Sequence, residues 1–260
     1  MTAILRNESR KLVRGSALLA GIFAVFLFFF LSVFPGFAAE AELIEEAYPA
    51  FVIALLGFEQ IHTIEGFVGG YIYPLVWVVF TGAYFAYLAA GMIAEDIETR
   101  RMDLTLSNPV SRESVIVQKL AALWVPLVTL SVGMIVMLSV GTAIIGETLD
   151  PLVLVMIHLL SIPYLFVCAG IGMLLSVVLD RVESAQAMAL GLVFLLWLVD
   201  GMSTINPDFE WVGTVSPSRY FDSTEILLHE EYAFLDAGIL LGGFLVLLGV
   251  AIFIFTRRDI

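Results

Sequence analysis

Few residues in this sequence have the types and spacing that a metal site needs. The nearest approach is Glu59, His62 and Glu65, at positions i, i+3 and i+6, which share a helix face only loosely. A solvated or structural role is more typical of such a group. His158, near the end of an apolar run, and His229, in a polar segment, are more typical of interface residues. The sequence predicts no metal site, and it leaves open whether any one histidine is a ligand.

Catalytic and nucleotide-binding motifs are also absent from the sequence. A phosphate-binding loop needs a lysine directly after a glycine, and neither Lys11 nor Lys119 follows one. No nucleophile elbow, zinc-protease motif or intramembrane carboxylate pair occurs. Asp200 comes nearest to the middle of an apolar run, but its position favours the membrane surface. We therefore expect no enzyme and no cofactor, and ATP hydrolysis that drove this chain would belong to another subunit.

The composition is that of a membrane protein with several spans. Hydrophobic residues make up 60% of the chain and charged residues 14%, and the mean hydropathy is +1.00, far from the values of soluble domains. The net charge of −13 argues against nucleic acid as a partner. With arginine preferred to lysine, it suggests a prokaryote adapted to high salt, such as a halophilic archaeon. Cys168 is the only cysteine, so no internal disulfide forms.

Apolar runs long enough to cross the bilayer recur along the chain. A helical span takes about 20 apolar residues, and six spans are predicted, at about 16–38, 67–94, 113–145, 152–179, 186–205 and 236–255. Residues 1–15 have the pattern of an interfacial amphipathic helix, although a plain basic flank explains them as well. Residues 51–66 suit a short interfacial or re-entrant helix, and Pro74 is expected to bend the second span. The fold class is an all-α membrane protein, one transmembrane domain over residues 1–260.

The lysines and arginines predict the orientation of these spans, because cytoplasmic flanks collect such residues. All of them except Arg219 fall at one set of span ends. These cations are Arg6, Arg10, Lys11, Arg14, Arg100, Arg101, Arg112, Lys119, Arg181, Arg257 and Arg258. Both termini are therefore predicted to be cytoplasmic.

The stretch from Glu95 to Lys119 is a polar interruption between the second and third spans. Opposite charges at helical spacing predict a docking helix over residues 95–106. The pairs with this spacing are Asp96 with Arg100 and Glu98 with Arg101. Pro109 is expected to stop the helix, and Ser111 to cap the next one. A solvated turn is the plainer explanation of such a loop.

Several motifs in this order resemble the type-2 ABC transporter permeases, and the resemblance covers the whole chain. The motifs are Gly91 with Glu95 and Asp96, then Leu104, Leu106, Ser107, Pro109–Arg112 and Lys119, then Ser216–Pro217 with Arg219–Tyr220, Glu225–Leu227 and the ending Arg257–Ile260. The resemblance implies a half-transporter, most typically of an exporter. Two copies, identical or not, would line a pathway above two cytosolic ATP-binding subunits.

The resemblance also implies roles for particular residues. A cytoplasmic coupling helix between spans 2 and 3 would dock the ATPase through residues 95–112. The docking residues are Glu95, Asp96, Arg101, Asp103, Leu104, Pro109 and Ser111. Short outer helices between spans 5 and 6 would form a gate. Its residues are Pro217, Arg219, Tyr220 and Glu225. Asp222 and Glu225 have capping-box spacing, which predicts a short helix there.

Other classes of protein remain open at this point. A secondary transporter or channel would act without an ATPase, and a membrane accessory protein of a maturation system, such as copper handling, would share the architecture. The substrate, the direction of transport and the choice between homodimer and heterodimer are not fixed by the spans.

Overall fold

Every regular element in the described part of the computed structural model, residues 3–41, 43, 47–49, 52–53, 59–205 and 207–258, is helical. The helices are α1 (Ala3–Ala39), α2 (Ile64–Glu98), α3 (Arg101–Leu106), α4 (Arg112–Ile144), α5 (Pro151–Val178), α6 (Val182–Ser203), α7 (Glu210–Gly213), α8 (Ser223–Leu228) and α9 (Phe234–Arg257). Six of them, all except α3, α7 and α8, are long and apolar enough to cross a membrane. The six spans and the all-α class predicted from the sequence are therefore confirmed, and the chain is a multi-pass membrane protein.

Helix α1 is longer than the span predicted within it. Its 37 residues measure about 56 Å at the usual rise, whereas the hydrocarbon core is about 30 Å thick. The interfacial helix expected at residues 1–15 does not appear as a separate element, because α1 continues through Gly15 without a break. A short helix was expected at residues 51–66, of which 51 and 54–58 lie outside the described residues. Residues 59–63 are not helical, and Ile64 already begins α2.

Prolines change the helical geometry of two spans. Residues Val68–Thr81 of α2 form a π-helix that contains Pro74, where a bend was expected. Proline lacks an amide donor and crowds the carbonyl four residues earlier, and a π-helical register relieves such crowding. In α4 the α-helical geometry is interrupted at Ala122 and Leu123. Ala122 is the residue four positions before Pro126, so the same crowding explains this interruption.

Helices α2 and α5 form the centre of the bundle. A side-chain carbon added at Gly172 of α5 would lie 2.1 Å from the carbonyl oxygen of Ala86 in α2, so glycine permits the close approach of the two backbones. Ser176 Oγ accepts hydrogen bonds of 2.9 Å from the amides of Ile93 and Ala94. The outer helices α1, α6 and α9 leave much of their apolar surface exposed, as helices that face lipid do.

Contacts between helix ends define the two ends of the bundle. At one, which we call the basic end, Glu8 of α1 contacts Lys119 of α4, and Arg112 of α4 bonds the last turn of α9. The start of α1 and the end of α9 thus lie together. At the opposite end, Ser223 of α8 bonds the carbonyl of Gly69 near the start of α2.

The close packing of α2 on α5 gives a first prediction. Gly172→Ala should lower the melting temperature of the detergent-purified protein by several degrees, because the new methyl group meets backbone atoms that cannot move aside. Overpacking of this kind costs about 2–3 kcal/mol. Gly249→Ala on α9 is the control, since nothing lies within 4 Å of the added carbon. Equal melting temperatures for the two variants would contradict the close approach.

Candidate functional site

The predicted docking helix divides into two helices at the basic end. α2 ends at Glu98, and Arg100 has a left-handed backbone with φ of 57° before α3 begins. The expected ion pairs are therefore wrong, because they required one continuous helix. Arg101 bonds Glu95 at 2.8 Å instead of Glu98. Asp96 does not pair with Arg100 in the described structure but turns inward.

Helix α3 presents a mixed charged and apolar surface. The side chain of Met102 is fully buried and fixes the helix to the bundle. Arg101 and Asp103 are exposed. Leu104 leaves 70% of its surface uncovered. An exposed leucine beside opposite charges is a surface suited to a protein partner.

The segment after α3 forms a tight corner. Asn108 Nδ2 donates to the carbonyl of Leu104 at 2.9 Å, and Pro109 is exposed between the two helices. Ser111 Oγ accepts the amide of Ser114 at 3.2 Å and caps α4, as its position predicts. We call residues 101–111 the docking corner. Ser111 is exposed, so it combines a capping role with a place on this surface.

A buried ionic cluster lies behind the docking corner. The Lys119 ammonium is 2.8 Å from an Asp96 carboxylate oxygen and 3.1 Å from Glu8 Oε1. Lys11 bonds the same Glu8 oxygen at 2.9 Å. Only 3% of the Lys119 side chain and 10% of the Asp96 side chain are exposed. The cluster joins α1, α2 and α4, and Asp96 is a positioning residue rather than part of the exposed surface.

Sequence reasoning did not find this cluster. It placed Asp96 on the docking surface, treated Lys119 as part of a motif, and did not single out Glu8. One signal was available: Lys119 follows Val115 and Ile116 by four and three residues, so it belongs to the apolar face of its helix. A lysine on such a face needs a buried carboxylate.

Two arginines cap helix ends at the same end of the bundle. Arg112 donates to the carbonyls of Phe255, at 2.8 Å, and Arg258. Arg258 donates to the carbonyl of Val177 at 2.6 Å and also bonds Asp180. Helix C-termini carry unpaired carbonyls and partial negative charge, which guanidinium groups satisfy. The start of α4 is thereby tied to the ends of α5 and α9.

Glu98 makes the remaining link at the basic end. Its carboxylate accepts the backbone amide of Val182 at 2.9 Å, at the first turn of α6. A carboxylate at this position satisfies an unpaired donor and the positive end of the helix dipole. The elements that flank the docking corner are therefore linked to every other long helix: to α1 by the ionic cluster, to α6 by Glu98, and to α5 and α9 by Arg112 and Arg258.

A cavity of about 320 Å³ lies at the opposite end, between α5, α8 and α9. Three of the four predicted gate residues line it: Arg219, Tyr220 and Glu225. Tyr220 donates to the carbonyl of Thr214 at 2.9 Å. Asp222 caps α8 by accepting the amides of Thr224 and Glu225, at 2.8 and 3.1 Å, as the capping-box spacing predicts.

Asp200 links Ser218 and Arg219 to the end of α6. Its carboxylate accepts the Ser218 hydroxyl at 2.7 Å, and the other oxygen is 3.8 Å from Arg219, which also bonds Glu210. Pro217 is buried and begins a short 3₁₀ turn. It lies beside Tyr220 in an adjacent apolar groove rather than in the cavity.

The histidines do not converge on one site. His158 is buried against the rings of Tyr73 and Trp77. His229 is 3.2 Å from Glu59, so the Glu59 carboxylate contacts His229 instead of forming a group with His62. Across the ranges that the structure describes, no group of three or more histidine, cysteine or acidic side chains could hold a metal.

The sequence and fold of this helical bundle can be compared with those of known proteins. The family model of the ABC-2 family transporter proteins matches residues 2–260, and the chain belongs to this family. No curated protein and no solved structure matches it. The chain is therefore a type-2 ABC permease, a membrane transport subunit that works with an ATP-binding subunit.

The ionic cluster gives a second prediction. Lys119→Met should destabilise the protein by about 3–5 kcal/mol, because two carboxylates lose their buried cation. Lys11→Met is the matched control: it removes a bond to the same Glu8 oxygen, but Lys11 is 42% exposed, and surface pairs contribute about 1 kcal/mol or less. Thermal unfolding in detergent measures both variants. Adding Asp96→Asn to Lys119→Met should restore part of the lost stability. If the double variant is no more stable than Lys119→Met alone, the pairing of Lys119 with Asp96 is refuted.

Proposed function

We propose that the chain is the permease half of an ATP-driven exporter and docks its ATPase through the docking corner. Two copies line the pathway, and ATP is bound and hydrolysed in the partner subunits. The observation that supports this is the exposed surface of Arg101, Asp103 and Leu104 on a short helix with a rigid base. Glu95 and Pro109 flank it, and Asp96 and Ser111 fix its position.

The orientation is part of the proposal. The basic end carries Arg100, Arg101, Arg181 and the arginines that cap α5 and α9, whereas Arg219 lies near the other end. Because cytoplasmic flanks collect cations, the basic end faces the cytoplasm and the cavity faces outward. Movement of the ATPase then acts on the basic end, and the pathway opens at the end with the cavity.

The helix contacts support transmission between them. The ionic cluster attaches the corner to α1, α2 and α4, and α2 packs directly on α5, which lines the cavity through Leu160. A displacement of the corner moves these helices together, because their ends share buried bonds. The segment with Arg219, Tyr220 and Glu225 is the gate.

Docking is tested by reversing two charges. Arg101→Glu with Asp103→Arg should abolish co-purification of the ATP-binding subunit from gently solubilised membranes. Like charges brought together across an interface cost several kcal/mol. Insertion should stay unchanged, and the melting temperature should fall only slightly, since both side chains are exposed and the lost Arg101–Glu95 bond is a surface pair.

The loop between α5 and α6 supplies a matched control. Arg181→Glu with Glu183→Arg reverses the same charges at the same spacing, and both residues are exposed. This variant should retain the ATPase. Retention by both variants would overturn docking through α3, and loss by both would indicate a general requirement for charge.

Gating is tested by labelling two neighbouring residues. Ala237 lines the cavity, whereas Gly238 has nothing within 4 Å of an added side-chain carbon. With the ATPase bound, the maleimide labelling rate of Ala237→Cys should change severalfold when ATP and vanadate are added, and that of Gly238→Cys should not. Cys168 is buried and stays unlabelled. Constant rates at both positions would contradict a gate at this cavity.

A further inference from the structure

Three arginines form an exposed stripe along the first turns of α1. Arg6, Arg10 and Arg14 are four residues apart and exposed, and no ion pair involves them among the described residues. We propose that this stripe binds the phosphate groups of anionic lipids at the membrane surface. The inference concerns the lipid around the transporter and does not depend on ATPase docking.

The stripe continues a face of α1 that is exposed and apolar. Beyond Arg14 the same face carries Leu18, Ile22, Val25 and Phe29, which are 55–73% exposed. Each spacing of four residues turns the side chain by about 40° around a helix, so Arg10, Arg14, Leu18, Val25 and Phe29 lie within about 100° of one another, and Arg6 lies about 40° beyond Arg10. If this surface contacts acyl chains at Leu18, then the residues that precede Leu18 in α1, Arg14 and Arg10, contact the lipid headgroups.

The axial distances place the arginines at headgroup depth. At about 1.5 Å per residue, Arg14 and Arg10 lie about 6 and 12 Å before Leu18 along the helix. The polar layer on each side of the hydrocarbon core is about 5–8 Å thick, and long arginine side chains reach toward the interface. Arg14 thus lies in the phosphate layer and Arg10 reaches it with its long side chain. Arg6, about 18 Å before Leu18, lies beyond the layer and acts on the lipid charge across water.

Charge also favours an anionic partner from the membrane. The chain as a whole has a net charge of −13, yet these three arginines form no ion pair within the part of the chain that the structure describes. The neighbouring Lys11, in contrast, forms an ion pair with Glu8 on the same helix. Guanidinium groups bind phosphate with two parallel hydrogen bonds.

The opposite face of the same turns explains what lipid binding would do. Leu12 and Ser16 are buried, and Glu8 belongs to the ionic cluster. Lipids on the arginine stripe would hold the first turns of α1 against the cluster from outside. The lipid composition of the membrane would then influence how firmly α1 follows the docking corner.

The experiment reads the local lipid at two points of α1. Gly21 and Gly36 are exposed and have nothing within 4 Å of an added side-chain carbon, and both lie on the lipid face. Gly21→Cys is near the stripe, and Gly36→Cys is about 22 Å further along. Each carries a fluorophore, in nanodiscs that contain phosphatidylcholine with an equal fraction of either brominated phosphatidylglycerol or brominated phosphatidylcholine.

We expect brominated phosphatidylglycerol to quench at Gly21→Cys more strongly than brominated phosphatidylcholine, and both lipids to quench equally at Gly36→Cys. Arg10 and Arg14 each contribute about fivefold to the local preference, and Arg6 contributes less because it lies further from the lipid. Arg6→Gln with Arg10→Gln and Arg14→Gln should bring the ratio at Gly21→Cys close to one, whereas the triple lysine variant should preserve much of it.

Three results would overturn the proposal. Equal quenching at Gly21→Cys in the otherwise unchanged protein shows that the stripe has no lipid preference, whether or not the triple variant folds. Absence of quenching by either lipid shows that protein, such as a second copy, covers this face. An unchanged ratio in the glutamine variant, together with loss of the ATPase on purification, assigns the stripe to the ATPase.

Discussion

The burial of Lys119 is the constraint on which the basic end depends. An ammonium group with 3% exposure is stable only with carboxylates at bonding distance, because an unpaired buried charge costs several kcal/mol. Asp96 comes from the end of α2, and Glu8 comes from the first turns of α1. The three helices are therefore held in one arrangement, and the docking corner, which lies between α2 and α4, has a fixed base.

Backbone carbonyls at helix ends impose a second constraint. Where packing covers a helix end, its unpaired backbone groups must find partners within the protein. Arg112 and Arg258 satisfy the ends of α9 and α5, and Glu98 satisfies the start of α6. These bonds explain why Arg112, Arg258 and Glu98 are turned toward other helices, whereas Arg101 and Asp103 on α3 face outward.

Much of the fold follows from local sequence. The six spans are visible as apolar runs, Ser111 and Asp222 act as caps where their spacing predicts, and Pro74 and Pro126 coincide with departures from α-helical geometry. The separation of α3 from α2 was not predictable in this way, because the charge spacing through Arg100 is compatible with one continuous helix. The left-handed turn at Arg100 is decided by packing, with Met102 buried and Arg101 drawn back to Glu95.

The site was less predictable than the fold because its bonds join residues far apart in the chain. Glu8 and Lys119 are separated by 111 positions, and Arg112 and Phe255 by 143, so no spacing rule connects them. Exposure is likewise decided by tertiary structure: Asp96 and Glu95 are neighbours with the same chemistry, yet one is buried and one is exposed. A charged stretch between two spans therefore indicates where we propose that the partner docks. Which of its side chains are exposed, and which support the corner from inside, is seen only in the packed bundle.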